Sequence, residues 1–135
     1  MKINLIIFII AADQLAKYIV REKNLPVIEN SSLPFGFSFP ASPIGGPGVL
    51  NFWALSAALV LFVVLSWKYF RDSVGTLGWS LVIGGALGNL VDRAVKGTVT
   101  DYINLGAGTV NLADIAIYAG IVLLIGKFLI SNYSN

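Results

Sequence analysis

Asn89, Asp92, Arg93, Asp101, Asn111 and Asp114 all fall within the apolar stretch from Gly84 to Ala116, GGALGNLVDRAVKGTVTDYINLGAGTVNLADIA. Three of the chain's seven acidic residues are gathered there. Charged groups beside hydrocarbon are costly, so their presence calls for a functional explanation before a structural one. Two carboxylates that meet at low dielectric cannot both ionise readily, so one is held protonated and the pair shares a proton. Such a pair can activate a water with one member and protonate a leaving amine with the other. That is peptide hydrolysis without a metal, Ser, Cys or His. Asp101 and Asp114, thirteen residues apart, are the candidate catalytic pair.

Composition narrows the chemistry further. The chain has 135 residues, 56% of them hydrophobic and 12% charged, and contains neither cysteine nor histidine. A soluble domain of this size needs more polar surface, so one integral membrane domain over residues 1–135 is expected. Disulfides, thiol nucleophiles, imidazole bases and the usual zinc ligands are excluded together. A net charge of +2 spread over single basic residues gives nucleic-acid binding no support.

The elements that must position these residues read as four transmembrane helices, at about 3–20, 49–70, 74–91 and 110–130. The first begins like a signal peptide, but lacks an A-x-A cleavage pattern and is interrupted by Asp13. Asp13 and Lys17, acid before base and four apart, share one helix face. Residues 21–48 hold all five prolines and two strand-like pieces, LPVIE and FGFSF. Phe35, Phe37 and Phe39 lie on one side of the second piece. Trp67, Lys68 and Tyr69 end the second span as an interfacial anchor, and Gly84 and Gly88 in the third permit close helix approach. The fold class is thus an all-α membrane protein with a small β-rich loop region, its loops at 21–48 and 92–109 on one side. The Lys/Arg count on the two sides is tied; Lys2 and the basic turn at Arg71 favour termini inside.

Supporting roles follow from spacing. Asn111 lies three residues before Asp114 and is placed to hydrogen-bond a substrate backbone. Asn89 and Arg93, four apart, share a face that can hold a carbonyl or a lipid headgroup, or fix the carboxylates. Each residue also has a structural reading. Asp92–Arg93 fits a helix-end charge cluster in the headgroup layer, Asp114 a helix cap, Asp101 a turn aspartate, and Asp13–Lys17 a structural pair.

Four blocks together resemble the bacterial lipoprotein signal peptidases, the signal peptidase II family. Asp13-Gln14-Leu15-Ala16-Lys17 is similar to its D-Q-x-x-K, and Gly88-Asn89-Leu90-Val91-Asp92-Arg93 to its G-N-x-x-D-R. Val99-Thr100-Asp101-Tyr102-Ile103 is similar to V-x-D-[FY]-I, and Asn111-Leu112-Ala113-Asp114-Ile115-Ala116-Ile117 to N-x-A-D-x-x-I. The resemblance implies an aspartyl endopeptidase of the bacterial cytoplasmic membrane, multi-pass with cytoplasmic termini, whose site opens at the outer face. It implies cleavage of diacylglyceryl-modified prolipoproteins just before the lipidated cysteine, no metal or cofactor, and inhibition by globomycin-type compounds. A monomer in contact with membrane lipid is expected. Asp101 and Asp114 then match the catalytic pair, Asn89, Arg93, Asn111 and Asp13 the residues lining or supporting it, and Lys17 and Asp92 structural positions. Asn30 matches a substrate-positioning asparagine, although Ser32, Leu33 and Pro34 depart from the glycine and small residues of the family's N-x-G segment.

The competing function is a small ion- or proton-coupled transporter subunit, with Asp13, Lys17 and Asp114 as a relay. It requires polar residues spread through the membrane depth. A non-catalytic scaffold subunit needs no Asp101 opposite Asp114, and the G-x-G-D pattern of another membrane aspartyl protease class is absent from the sequence.

Overall fold

The computed structural model describes residues 2–31, 58, 61, 73–106 and 108–133. The expected span at 49–70, the FGFSF segment and the departures at Ser32, Leu33 and Pro34 lie outside the described residues. Three helices in the described part are long and apolar enough to cross a membrane. They are α1 (Ile3–Glu22), α2 (Ser73–Lys96) and α3 (Leu112–Tyr133).

The helix ends are set by local chemistry. Asn24 adopts a left-handed conformation, φ 50°, just past α1. Its N–H reaches Arg21 O and the Leu25 N–H reaches Val20 O, both at 3.0 Å. These are the paired bonds of a Schellman stop, with asparagine in the place glycine usually takes. Helix α2 runs through Asp92 and Arg93 to Lys96, about one turn beyond the expected end near Val91. No helix breaker intervenes before Gly97, whose φ of +77° and N–H to Arg93 O at 2.9 Å close the helix.

Four short strands lie between the helices and beside their ends. β1 (Ile28–Asn30) pairs antiparallel with β2 (Val99–Asp101), setting Ile28 opposite Asp101, Glu29 opposite Thr100 and Asn30 opposite Val99. β3 (Ile103–Asn104) and β4 (Thr109–Val110) form a second antiparallel pair leading directly into α3.

Helix α2 is central and packs against both α1 and α3. Its glycines divide the work. A Cβ at Gly84 would lie 3.0 Å from Ile9, and one at Gly88 2.9 Å from Asp13 Oδ2, so this pair faces α1. A Cβ at Gly85 would strike the Ala113 carbonyl, and one at Gly120 would lie 2.6 Å from Gly78 O. Small residues at these crossings let the backbones come close, which is how helices associate where hydrocarbon surrounds them. Ile6, Ile9, Trp79, Val82, Ile83 and Ala116 fill the buried seam away from the strands, while Phe8, Tyr18, Val122, Phe128 and Ile130 face outward.

Candidate active site

The start of α3 organises the site. Asn111 stands just before the helix, rather than within it as its spacing predicts, and acts as N-cap. Its Oδ1 accepts the Asp114 N–H at 2.9 Å, while the Asp114 carboxylate accepts the Asn111 N–H at 3.2 Å. This reciprocal arrangement is a capping box built from Asn and Asp. It fixes the Asp114 side chain over the positive end of the helix, where a carboxylate is favoured. The next N–H, that of Ala113, is taken by Asp13 Oδ1 at 3.0 Å from α1. The Leu112 N–H meets the Tyr102 phenol oxygen.

Asp101 arrives from the other direction, on β2. Strand alternation puts Asp101 and Val99 on one face and Thr100 on the other. The Asp101 carboxylate accepts Asn111 Nδ2 at 2.7 Å and Asn30 Nδ2 at 3.2 Å. Asn111 Nδ2 also reaches Asn89 Oδ1 at 3.1 Å, and Asn89 Nδ2 donates to Asp114 Oδ1 at 2.8 Å. The two carboxylates are therefore joined through a pair of asparagine amides. Asn111 is wholly buried and its amide is committed inside the site, so it orients both carboxylates and does not face outward.

Beneath this layer lies a buried ionic one. Lys17 Nζ sits 2.7 Å from Asp13 Oδ2, 3.0 Å from Asp92 Oδ2 and 3.2 Å from Asn89 Oδ1. The helical pairing of Asp13 with Lys17 is thus present, and Asp92 adds a second carboxylate. Asp92 and Arg93 are buried at 3% and 8% exposure, which removes the headgroup-cluster reading. The Arg93 guanidinium acts electrostatically on Asp114, Asp101 and Asp92. Gln14 ties the layer to the α2 backbone through Gly88 O at 3.0 Å.

Burial pushes the Asp101 carboxyl above its ordinary range, and the charge of Asp114 acts in the same direction. Hydrogen bonds from Asn30 and Asn111, and the Lys17 charge, oppose the rise without cancelling it. The arrangement is chemically asymmetric, because the other carboxylate accepts a backbone N–H and an amide at a helix N-terminus. Among the described residues, no group of three or more His, Cys, Asp or Glu side chains is arranged to hold a metal ion.

Every residue singled out from the sequence, namely Asp13, Lys17, Asn30, Asn89, Asp92, Arg93, Asp101, Asn111 and Asp114, belongs to this one cluster. Asp101 sits on a strand and not in a turn. Sequence reasoning gave no role to Thr100, Glu29, Arg21, Thr98 or Lys96, which are joined behind β2. Their only sequence signal is alternation, which puts Thr100 opposite in sense to Asp101.

The family model described as Signal peptidase (SPase) II matches residues 5–130. A lipoprotein signal peptidase of Moorella thermoacetica is 32% identical over 93% of this chain and 91% of its own length. One from Thermodesulfovibrio yellowstonii is 35% identical over 90% of each. A bacterial membrane enzyme solved by the in meso method at 2.3 Å shares the fold, with a TM-score of 0.80 and 22% identity over 98% of this chain and 90% of that one.

Proposed function

The chain belongs to the signal peptidase II family, and from that premise we propose that it removes the signal peptide of diacylglyceryl-modified prolipoproteins just before the lipidated cysteine, using Asp101 and Asp114. The family makes it a membrane peptidase of bacteria. The aspartyl mechanism rests on one observation above the others: Asn111 bonds the Asp101 carboxylate through its side chain and the Asp114 carboxylate through its backbone.

The chemistry follows from the asymmetry of the pair. Asp101, whose proton affinity burial raises, is assigned the acid's part in the pair, and Asp114 that of the base. Asp114 takes a proton from a water that attacks the scissile carbonyl carbon, while Asp101 gives its proton to the carbonyl oxygen. In the second step Asp114 returns a proton to the cysteine nitrogen as the C–N bond breaks, and Asp101 recovers its own. Proton affinities measured for this reaction belong to the pair rather than to either residue. Arg93 holds the charge balance, Asn89 orients Asp114, Asn30 steadies Asp101 from β1, and Lys17, Asp13 and Asp92 form the floor.

In the membrane we place four spans, with residues 49–70 as the second, termini in the cytoplasm and the site towards the outer face. We also assign a monomeric state and sensitivity to globomycin-type inhibitors. The apolar seam of Ile6, Ile9, Trp79, Val82 and Ile83 supports this reading over an ion relay, because the buried charge is confined to one part of the described helices. The test is cleavage of a diacylglyceryl-modified prolipoprotein by the purified protein in detergent, beside Asp101→Asn and Asp114→Asn. Both substitutions are expected to lower turnover by about a thousandfold or more. A folded variant that cleaves at the wild-type rate refutes the dyad.

A further inference from the structure

Directly behind Asp101, on the opposite face of β2, three polar side chains from the ends of two helices and from strand β1 converge on the Thr100 hydroxyl. Thr100 Oγ1 accepts from Lys96 Nζ at 2.6 Å and from Arg21 Nη2, and donates to Glu29 Oε1 at 3.1 Å. A threonine hydroxyl has one donor and two acceptor sites, so its capacity is full. Glu29 Oε1 also takes Arg21 Nη2, and Oε2 takes Thr98 Oγ1 at 2.6 Å. The Thr100 N–H meanwhile points to Asp92 Oδ2 at 3.2 Å, the oxygen that also faces Lys17. Thr100 itself has no exposed surface.

This cluster fastens the end of α1 (Arg21), strand β1 (Glu29), the end of α2 (Lys96), the connector (Thr98) and strand β2 (Thr100). Each of these pieces carries or adjoins a residue of the site: Lys17 is one turn before Arg21, Asn30 follows Glu29, Arg93 precedes Lys96 by one turn, and Asp101 follows Thr100. β2 is three residues long and, among the described residues, pairs with β1 alone, so its ladder by itself is a weak support. We propose that the Arg21–Glu29–Thr100–Lys96 cluster is a polar clamp that positions Asp101 for the reaction, with Glu29 and Thr100 as positioning residues. The proposal rests on the assignment of Asp101 to the catalytic pair.

A clamp of this kind leaves a signature that general stabilisation does not. The Arg21 and Glu29 side chains are 39% and 40% exposed, and ion pairs that wet contribute little to folding. Glu29→Gln should therefore leave the melting midpoint almost unchanged. It should still loosen Asp101, because one amide oxygen cannot serve both the Arg21–Thr100 side and Thr98, and the amide NH2 would face donors. A small misplacement of a reacting group costs up to about a hundredfold in rate.

The experiment measures kcat, KM and melting midpoint for wild type, Glu29→Gln, Thr100→Val, Thr100→Ser and Asp101→Asn, on the diacylglyceryl-modified prolipoprotein in detergent. The expected result is a fall in kcat of roughly tenfold to a hundredfold for Glu29→Gln and Thr100→Val, with KM within about twofold. Thr100→Ser, which keeps the hydroxyl, should restore kcat to within about threefold of wild type. If Asp101→Asn is inactive but Glu29→Gln and Thr100→Val turn over like wild type, the clamp is refuted and the dyad stands. If KM rises while kcat holds, the cluster binds substrate and does not position Asp101. A loss of kcat that merely follows loss of folded protein, with no rescue by serine, also overturns the proposal. If Asp101→Asn itself cleaves normally, the dyad has failed first and the clamp falls with it.

Discussion

Replacing Asp13 with asparagine removes one charge from the floor of the site while keeping the side chain's shape. Asp13 is wholly buried, and its two oxygens serve three donors: the Ala113 N–H at 3.0 Å on Oδ1, and Gln14 Nε2 at 3.2 Å with Lys17 Nζ at 2.7 Å on Oδ2. The third of those donors is Lys17 itself, so the substitution puts an amide NH2 against an ammonium or against a helix N–H, whichever way it turns. Removing one partner of a buried ion pair costs about 3–5 kcal/mol when the other charge is left alone. Lys17 retains Asp92 at 3.0 Å and Asn89 at 3.2 Å, so the loss is partly offset and about 2–4 kcal/mol is expected. At about 4 °C per kcal/mol for a chain of this size, the melting midpoint should fall by roughly 8–16 °C. Thermal unfolding in detergent, followed by tryptophan fluorescence, measures it. Asp13→Ala should fall further, because the Ala113 N–H then loses its acceptor as well. An Asp13→Asn midpoint within about 2 °C of wild type would refute the account, since it would mean the charge is not coupled to folding.

Two further outcomes follow from the same network. Gly88→Ala places a Cβ 2.9 Å from Asp13 Oδ2 and 3.4 Å from Ala113 Cβ, so the carboxylate must give way while three groups hold it. A destabilisation of about 1–3 kcal/mol is expected, and a melting midpoint equal to wild type would show that the α1–α2 crossing has slack. The second concerns pH. Because the folded-state affinity of Asp101 for its proton is raised, its contribution to stability is fully present below the unfolded value and is lost as pH rises through the folded one. Wild type should therefore gain stability relative to Asp101→Asn as pH is lowered from about 8 towards 4. Parallel melting curves over that range, with a constant gap between the two proteins, would contradict the raised affinity.

The network has two levels with different physical demands. The upper level must let a proton move, and it is built from neutral amides that orient carboxylates without neutralising them. The lower level must hold three helices in place, and it uses a full ion triad of Asp13, Lys17 and Asp92. Asn89 belongs to both: its oxygen faces Lys17 and its nitrogen Asp114. A charge change in the floor is thus expected to reach Asp114 through one side chain.

Much of this was legible in the sequence because it depends on spacing. Apolar runs with isolated charges declare a membrane chain, acid and base four apart share a helix face, and Asn111 three before Asp114 has the spacing of a capping box. Those relations are local, so periodicity shows them. Periodicity cannot show which face meets which. That Asp13 caps a helix that starts ninety-nine residues later, that Lys17 chooses Asp92, or that Asn111 bridges to Asp101, depends on how closely α1, α2 and α3 approach at Gly84, Gly88 and Gly85. The spacing of Asn111 made it a candidate for contact with substrate; tertiary packing turned its amide inward instead. The clamp behind β2 had no sequence signal at all beyond alternation, because its members come from helix ends, a strand and a connector brought together by the register of Glu29 with Thr100. The residue types were set by the sequence, while the hydrogen bonds that give them their roles were decided by helix crossings and strand register, which only the folded chain possesses.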